Sequence, residues 1–219
     1  MKGGGTMPTE RFHRLPEEKR QAIRAAAVLE FARVPYEKVS INQIIHNADI
    51  SRGSFYTYFV DKKDLLEYIL SDGFENMLQL CEEELEANGG DYFGLLEWLF
   101  QRLIDELQET KTMMEVVRNV FTSQEGESLF GMDGGMFRTR HSGKDEGMKM
   151  NQWIFERLDR SRYPYEKPEE FDSLLRMGMM TMTFSVKWYV QNMDKAEEAK
   201  KHFRDDLELL KYGAYRNKN

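Results

Sequence analysis

Proline occurs at only five positions in this 219-residue sequence, and none lies between Pro35 and Pro164. Proline interrupts the hydrogen-bond ladder of an α-helix, so this long interval lacks the strongest helix breaker. Residues that favour strands are scarce in the chain, whereas Leu and Glu are abundant. The sequence shows no sustained alternation of period two and no internal repeat. The chain is therefore predicted to be all-α.

The first long helix is bounded by two of these prolines. Pro16 occupies the favoured first-turn position, and the residue before Pro35 avoids helical geometry, which predicts a helix between them. Residues 1–15 are expected to form a flexible tail. Residues 1–6 are glycine-rich, and one interpretation is a remnant ahead of a true start at Met7.

Capping residues then divide the chain into shorter helices. Ser40 followed by Gln43 has the form of a capping box, which opens a second helix. Ser51 is expected to cap a third helix and Asp61 a fourth. The fourth helix is predicted to end at Asn88-Gly89-Gly90, a strong stop signal.

Longer helices are predicted after residue 90, which brings the total to about nine. Two of them are expected over about 169–193 and 195–213. Residues 126–147 contain six glycines among several charges and are expected to form a mobile loop. That loop either gates a ligand pocket or is simply disordered.

The net charge of −7 is unevenly distributed along the chain. Residues 1–70 hold 11 Lys and Arg against 9 Asp and Glu, or +2, and the remainder holds 20 against 29, or −9. An acidic total argues weakly against a nucleic-acid binder. The small basic excess nevertheless coincides with the segment of short helices, so an acidic body would leave DNA binding to this part of the chain.

Several classes of protein are disfavoured by what the sequence lacks. Cys81 is the only cysteine, so an internal disulfide is impossible and a reducing, cytoplasmic setting is expected. No run of apolar residues approaches the length of a membrane span, which predicts no membrane partner. The sequence has no phosphate-binding loop, dinucleotide fingerprint or nucleophile elbow, and its four histidines lack metal-ligand spacing. We therefore expect no enzyme activity, no cofactor and no metal; a helical enzyme is the least favoured interpretation.

The second and third predicted helices have the arrangement of a helix-turn-helix, whose second helix enters the major groove of DNA. Residues 52–59 contain no acid and are rich in hydroxyl groups. Hydroxyls, arginine and helix N-termini contact phosphates and base edges. Phe55 and Phe59 lie four residues apart and are expected in the core. For Tyr56 and Tyr58, a surface role is favoured over a core role.

These residues belong to a longer pattern that runs without gaps from Ile23 to Leu66: Ile23-x-x-Ala26-Ala27-x-x-x-Phe31, then Tyr36, Ser40, Ile44, Ala48, and Ile50-Ser51-Arg52-Gly53-Ser54-Phe55-Tyr56-x-Tyr58-Phe59-x-x-Lys62-x-x-Leu65-Leu66. The pattern resembles the N-terminal domain of the tetracycline-repressor-like (TetR) family, and it covers about a fifth of the chain. The resemblance implies a dimeric one-component regulator, usually a repressor, whose larger domain binds a small effector.

The resemblance also implies roles for individual residues. Four are expected to face base edges, with the glycine allowing close approach: Arg52, Gly53, Ser54 and Thr57. Four others are expected to bind phosphates: Ser40, Tyr56, Tyr58 and Lys62.

Three positions depart from the usual family pattern. Pro35 stands where a turn glycine is common, and Ile45 replaces a small alanine. Asp49 replaces the glycine of the turn, although Asp tolerates the left-handed conformation with help from its side chain. None of these changes removes a predicted DNA contact.

The last two predicted helices suggest a dimer interface. The helix over 169–193 is apolar nearly all round and must be covered on both sides, while the final helix has a heptad-like seam. The residues expected to face a partner copy are Phe171, Gly178, Met182, Val186, Tyr189, Phe203, Leu207 and Leu210. An intramolecular core remains the alternative for this stripe.

An effector pocket is expected among bulky apolar side chains of the larger domain, where Arg118 and Arg176 fall within apolar stretches. Its candidate residues are Trp98, Met113, Met114, Arg118, Phe121, Trp153, Met177, Phe184 and Trp188. Each is individually more typical of plain core, and Arg118 either meets an anionic ligand group or pairs with an acid of the same domain.

The sequence thus predicts a DNA-binding domain over 16–62, followed by an effector-binding and dimerisation domain over 63–219. The favoured function is a homodimeric transcriptional regulator, most often a repressor that a small, largely apolar effector releases from double-stranded operator DNA. The alternative is a helical small-molecule binding or carrier protein that no longer reads DNA.

Overall fold

The computed structural model describes residues 8–124 and 152–213, with the side chains of 71–78 excepted. No described residue lies in a strand, which confirms the predicted all-helical fold over these ranges. In chain order the elements are α1 Glu10–His13, α2 Glu17–Arg33, a 3₁₀ turn Tyr36–Lys38, α3 Ile41–Asn47, α4 Arg52–Tyr58, α5 Lys62–Ala87, α6 Tyr92–Glu109, α7 Lys111–Phe121, a helical segment at 152–157, α8 Pro168–Gln191 and α9 Ala196–Tyr212. The predictions for residues 1–6 and for the 126–147 loop fall outside the described residues.

The predicted caps fix the starts of α3, α4 and α5. The Oγ of Ser40 accepts a hydrogen bond from the Gln43 amide at 3.3 Å. The Oγ of Ser51 accepts one from the Ser54 amide at 3.0 Å. Asp61 Oδ1 accepts from two amides of α5, at 2.9 and 3.0 Å. Each cap satisfies amides that have no partner inside the helix, so these boundaries follow from local sequence.

The reciprocal half of the predicted capping box is absent. The Gln43 side chain donates to Asn47 at 3.0 Å and does not return to the Ser40 amide. That amide donates instead to Glu30 Oε1 of α2, at 3.0 Å. Glu30 is 1% exposed and also pairs with Arg33. The buried Glu30 carboxylate of α2 therefore accepts the hydrogen bond that was predicted for the Gln43 side chain. This contact links the start of α3 to α2.

The turn between α3 and α4 depends on Asp49, whose φ of 49° lies in the left-handed region. Asp49 thus adopts the conformation that its side chain was predicted to tolerate. The Lys19 ammonium of α2 donates to the Asp49 carbonyl at 2.7 Å and lies 3.4 Å from the Ala48 carbonyl. This contact stabilises the turn from outside, and nothing local in the sequence indicated it.

The predicted flexible tail through residue 15 is wrong from Thr9 onward. The Thr9 amide donates to the Tyr58 carbonyl at 3.2 Å, and its hydroxyl donates to the Thr57 carbonyl at 2.9 Å. Phe12 is fully buried and packs against Phe59 at a centroid distance of 5.1 Å. Burial of this one ring explains why so short a helix holds its place, since isolated helices of four residues are unstable.

The helices form two hydrophobic clusters, which we call the head and the body. The head cluster draws on α1 to α5, and the body cluster on α5 to α9 and the 152–157 segment. Helix α7 contributes to both, because Val116 and Val120 are buried in the head while Met114 and Phe121 are buried in the body. The described parts of the two clusters are thus joined through two helices, α5 and α7.

The predicted partner-facing stripe of α8 and α9 is in fact buried within the chain. A Cβ on Gly178 would lie 2.5 Å from the Tyr92 hydroxyl and 2.6 Å from Leu96, so glycine is what lets α8 approach α6. Phe203 of α9 packs on Phe100 with ring centroids 4.3 Å apart. Seven residues that were predicted to face a partner copy are instead buried in the core: Phe171, Gly178, Met182, Val186, Tyr189, Phe203 and Leu207. The eighth, Leu210, is partly buried against the same cluster.

None of the helices within 8–124 and 152–213 combines the length and apolarity needed to cross a bilayer.

Candidate nucleic-acid interface

Helix α4 presents its polar residues outward and its phenylalanines inward. Phe55 and Phe59 are fully buried in the head, as the sequence predicted. Arg52 and Gly53 are exposed, and Ser54 and Thr57 are partly exposed on the same short helix. One side of α4 therefore anchors the helix, and the other side is open to a ligand.

The Arg52 guanidinium is held in place before any ligand arrives. Its Nη1 donates to Asn42 Oδ1 of α3 at 2.6 Å. The guanidinium carbon lies 5.5 Å from the Tyr56 ring centroid, within cation–π range. Arg52 is thereby aligned by one residue of each helix of the pair. Asn42 was not among the predicted site residues, because a contact ten residues away leaves no local signal.

Gly53 has no structural need to be glycine. It lies within a regular helix, and a Cβ added there would meet only Ser51 Oγ, at an ordinary 3.8 Å. Glycine inside a helix costs about 0.5–1 kcal/mol relative to alanine. The fold itself gains nothing from this residue, which points to a requirement outside the chain such as close approach of a ligand.

The two smaller hydroxyls of α4 have defined partners. The Ser54 Oγ lies 2.8 Å from Ser51 Oγ. The Thr57 hydroxyl donates to the Gly53 carbonyl at 2.9 Å, which leaves its oxygen free to accept a hydrogen bond. The arrangement supplies one aligned cation and hydroxyl oxygens on a single surface.

The four predicted phosphate-binding residues are in different situations. Ser40 caps α3, and Tyr56 is 47% exposed beside Arg52. Tyr58 is partly buried, with its ring 5.8 Å from Phe12, so it is less of a surface residue than predicted. The Lys62 ammonium donates to the carbonyls of Tyr36 and Glu37, at 2.9 and 3.3 Å. Lys62 therefore supports the 3₁₀ turn, a role that the sequence did not reveal.

The nine predicted effector-pocket residues are in different situations within the part of the chain that the structure describes. Met114 and Phe121 are buried in the body core, and Arg118 pairs with Glu115 on its own helix. Met177 and Phe184 are 49% and 56% exposed on the outer face of α8. The other predicted pocket residues are partly buried against the body core: Trp98, Met113, Trp153 and Trp188. On α8, Met177 and Phe184 therefore face outward, whereas the residues predicted to face a partner copy lie in the core.

Phe184 and Trp188 line a surface groove of about 340 Å³ between α8 and α9. Across the groove lie His202, whose ring centroid is 4.9 Å from that of Trp188, and the carboxylates of Asp205 and Asp206. Its mixed apolar and acidic lining differs from an enclosed apolar effector site.

Features of metal and thiol chemistry are not evident in the described part of the chain. No group of three His, Cys, Asp or Glu side chains is placed there to hold a metal ion. Burial, together with the charge of Glu84, raises the pKa of the Cys81 thiol to about 11. At neutral pH the thiol is protonated and therefore a poor nucleophile.

Two protein-family models match this chain. Residues 23–69 match the family model for bacterial regulatory proteins of the tetR family, and residues 91–214 match the tetracyclin repressor-like C-terminal domain. The chain is 38% identical over 72 residues to the HTH-type transcriptional regulator HbdR of Aromatoleum sp. (strain CIB), a match that spans 33% of this chain and 30% of that protein. A crystal structure of a TetR family transcriptional regulator from Chloroflexus aurantiacus J-10-FL is 22% identical and covers 95% of this chain and 98% of its own, with a TM-score of 0.46.

The two family models together span the helix-turn-helix and most of the body, and the second alone covers more than half of the chain. The caps of α3 and α4, the left-handed turn and the open polar side of α4 are the parts that a DNA-reading helix pair needs. The chain therefore belongs to the TetR family of transcriptional regulators and carries its helix-turn-helix DNA-binding domain.

Proposed function

We propose that this regulator is a homodimeric repressor that binds operator DNA through α4 and leaves it when the body binds a small, largely apolar effector. The observation that carries the DNA-binding part is the alignment of Arg52 by Asn42 on an open polar surface. A guanidinium held in advance loses little freedom on binding, which suits bidentate recognition of guanine.

The site residues fall into two groups in this proposal. Arg52, Ser54 and Thr57 face base edges, and Gly53 lets the DNA backbone or a base approach α4 closely. Ser40 and Tyr56 bind phosphates and fix the register of the helix on the duplex. Tyr58 and Lys62 act partly through packing, because Tyr58 lies against Phe12 and Lys62 holds the 3₁₀ turn. The DNA-binding domain then begins at Thr9, earlier than the sequence suggested.

The dimer is proposed to form through the outer faces of α8 and α9. Met177 and Phe184 lie seven residues apart, on one face of α8, and both are exposed. Leu209 and Tyr212 of α9 are 52% and 59% exposed, so α9 also presents large apolar side chains to solvent. Phe184 and Asp205 line the same groove, so the two faces adjoin. A second copy would cover this apolar surface, as closed C₂ symmetry allows.

The response to an effector is proposed to pass through α7, one of the two helices that contribute to both head and body. Asn119 of α7 donates to two carbonyls at the end of α2, and neighbouring residues of α7 are buried in the body. A ligand shifts the equilibrium between two positions of α7 only by the difference between its affinities for them. The head would follow α7 to the favoured position. The body cluster that borders α7 is apolar, so the proposed effector is a largely apolar molecule.

A binding experiment tests this function. Labelled DNA from upstream of the gene that encodes the chain is titrated with the full-length protein, beside an unrelated duplex of equal length. We expect tighter, salt-dependent binding to the upstream DNA and release by one of a panel of small apolar ligands. Ligand binding with equal affinity for both duplexes would instead favour a carrier protein that no longer reads DNA.

A further inference from the structure

Most basic side chains of the head already have partners within the described residues. Carboxylates engage some of them, and backbone carbonyls or an amide oxygen engage the others. The engaged residues are Arg14, Lys19, Arg20, Arg24, Arg33, Arg52, Lys62 and Lys63. A cation engaged in this way must give up or share a contact before it can bind a phosphate.

Arg11 and Lys38 differ from these engaged basic residues. Both are exposed, and neither side chain forms an ion pair, hydrogen bond or ring contact with any residue that the structure describes. An exposed, unpaired cation in the head is ordinarily just solvated. What sets these two apart is where the fold places them.

Arg11 is placed beside the C-terminal end of α4. It follows two residues after Thr9, whose amide and hydroxyl bind the carbonyls of Tyr58 and Thr57. Its Cα therefore lies within about 7 Å of that contact. The neighbouring Phe12 is fully buried, so α1 cannot swing away without exposing a phenylalanine. The position of Arg11 relative to α4 is thus fixed by the fold.

Lys38 is placed beside the N-terminal end of α3. It ends the 3₁₀ turn Tyr36–Lys38 and precedes the cap residue Ser40 by two positions. Tyr36 of this turn is buried and stacks on Phe31, with ring centroids 6.1 Å apart. The Lys62 ammonium lies 4.4 Å from the Tyr36 ring centroid and donates to the Tyr36 carbonyl. Lys62 therefore holds rigid the turn that presents Lys38.

We propose that Arg11 and Lys38 bind DNA phosphates, one at each end of the α3–α4 pair. The inference rests on the proposed DNA-binding function and deepens it. It adds a contact from α1, which precedes the part of the chain that matches the N-terminal family model. It also gives Lys62 a supporting role, with Lys38 as the residue that reaches the phosphate.

Salt dependence is the property that identifies phosphate contacts. Each neutralised phosphate of duplex DNA contributes about 0.9 to the slope of log K against log salt. A dimer uses every contact twice, so losing one side chain should lower the slope by about 1.8, and losing both by about 3.6. Uncharged contacts to bases or apolar surface leave this slope unchanged.

The test uses the full-length protein and an operator selected from a random duplex library. Dissociation constants are measured between 50 and 200 mM salt for the wild type, Arg11→Ala, Lys38→Ala and the double variant, on the selected operator and on a scrambled duplex. Arg102→Ala is the control, because it removes one exposed cation from α6, a body helix that belongs to neither proposed surface. Arg11→Lys and Lys38→Arg keep the charge, and thermal unfolding shows that each variant is folded.

The proposal predicts a lower slope for both alanine variants, Arg11→Ala and Lys38→Ala, on both duplexes and an additive loss in the double variant. It predicts wild-type slopes for Arg102→Ala, Arg11→Lys and Lys38→Arg. An unchanged slope in the double variant would overturn it, and so would weaker binding without a change in slope. If the wild type shows no preference for any selected duplex, the proposed operator recognition fails. The slopes on the scrambled duplex still decide the phosphate contacts in that case.

Discussion

The side-chain amide of Asn119 lies 3.0 Å from the carbonyl oxygen of Phe31, in a buried contact between α7 and the end of α2. The same Nδ2 donates to the Ala32 carbonyl at 2.8 Å. The last four carbonyls of a helix have no partner within that helix, so Asn119 satisfies two groups that would otherwise be orphaned. One side chain thus caps a helix of the head from a helix that also belongs to the body.

Replacing Asn119 with aspartate should destabilise the protein by about 1–3 kcal/mol, because a buried acceptor would then face two carbonyls. Urea unfolding of the full chain measures the change. Asn47→Asp is the matched control, since Asn47 is exposed and its Oδ1 accepts from Gln43, a role that aspartate keeps. Equal unfolding free energies for the two variants would show that the Asn119 contact contributes nothing.

Gly53→Ala should separate folding from DNA binding. The added methyl group has room within the chain and removes the conformational cost of a helical glycine, so stability should rise by about 0.5–1 kcal/mol. Operator affinity should nevertheless fall at least about tenfold if DNA approaches this position closely. Thermal unfolding and DNA titration of the same preparation give both values. Wild-type affinity in a stabilised Gly53→Ala protein would remove Gly53 from the interface.

Phe184→Glu should yield a monomer at concentrations where the wild type is a dimer, because it places a charge in the proposed interface. Sedimentation velocity measures the oligomeric state. Leu29→Glu is the control: Leu29 is 60% exposed, but it lies on α2 in the head. The dimer face would need to be sought elsewhere if Phe184→Glu remained dimeric, or if Leu29→Glu dissociated to the same extent.

Asp91 gives the body an acid-sensitive contact. Burial opposes ionisation of this carboxylate, but the Tyr163 hydroxyl, a backbone amide and nearby cations outweigh it and lower its pKa below 3.8. A lowered pKa in the folded state adds stability above pH 3.8, which is lost as the pH falls through the folded-state value. Asn is an equally good helix cap, so Asp91→Asn removes mainly the charge.

We therefore expect Asp91→Asn to be less stable than the wild type at pH 7 and the difference to shrink in strongly acidic solution. Chemical denaturation at a series of pH values measures it. A difference that is constant with pH would mean that the charge of Asp91 does not contribute.

The contacts that sequence predicted well are local. Ser51 and Asp61 cap the helices that follow them, and Asp49 adopts the left-handed turn, because each acts on groups within three residues. The direction of α8 was mistaken, since a helix that is apolar nearly all round does not reveal which stripe is inside. Only the approach of Tyr92 to Gly178 decides it, and that contact joins residues 86 positions apart.

The same distinction applies to the DNA-binding surface. The exposed residues of α4 follow from a family pattern, but the groups that position them do not. Asn42 reaches Arg52 from the preceding helix, and Glu30 holds the Ser40 amide from α2. Phe12 seemed part of a tail because four helical residues have no periodicity to detect. Such contacts join residues on different helices, so they are known only once the packing of the helices is known.

The central claim is that α4 reads a specific DNA sequence, and the direct measurement is a ratio of dissociation constants. Wild-type protein and Arg52→Ala are titrated at physiological salt with the selected operator and with its scrambled counterpart. We predict that the wild type prefers the operator by about 10³-fold or more, and that Arg52→Ala loses about 1–3 kcal/mol on the operator while its affinity for the scrambled duplex changes much less. A wild-type ratio near one, or an equal loss on both duplexes, would contradict sequence recognition by α4.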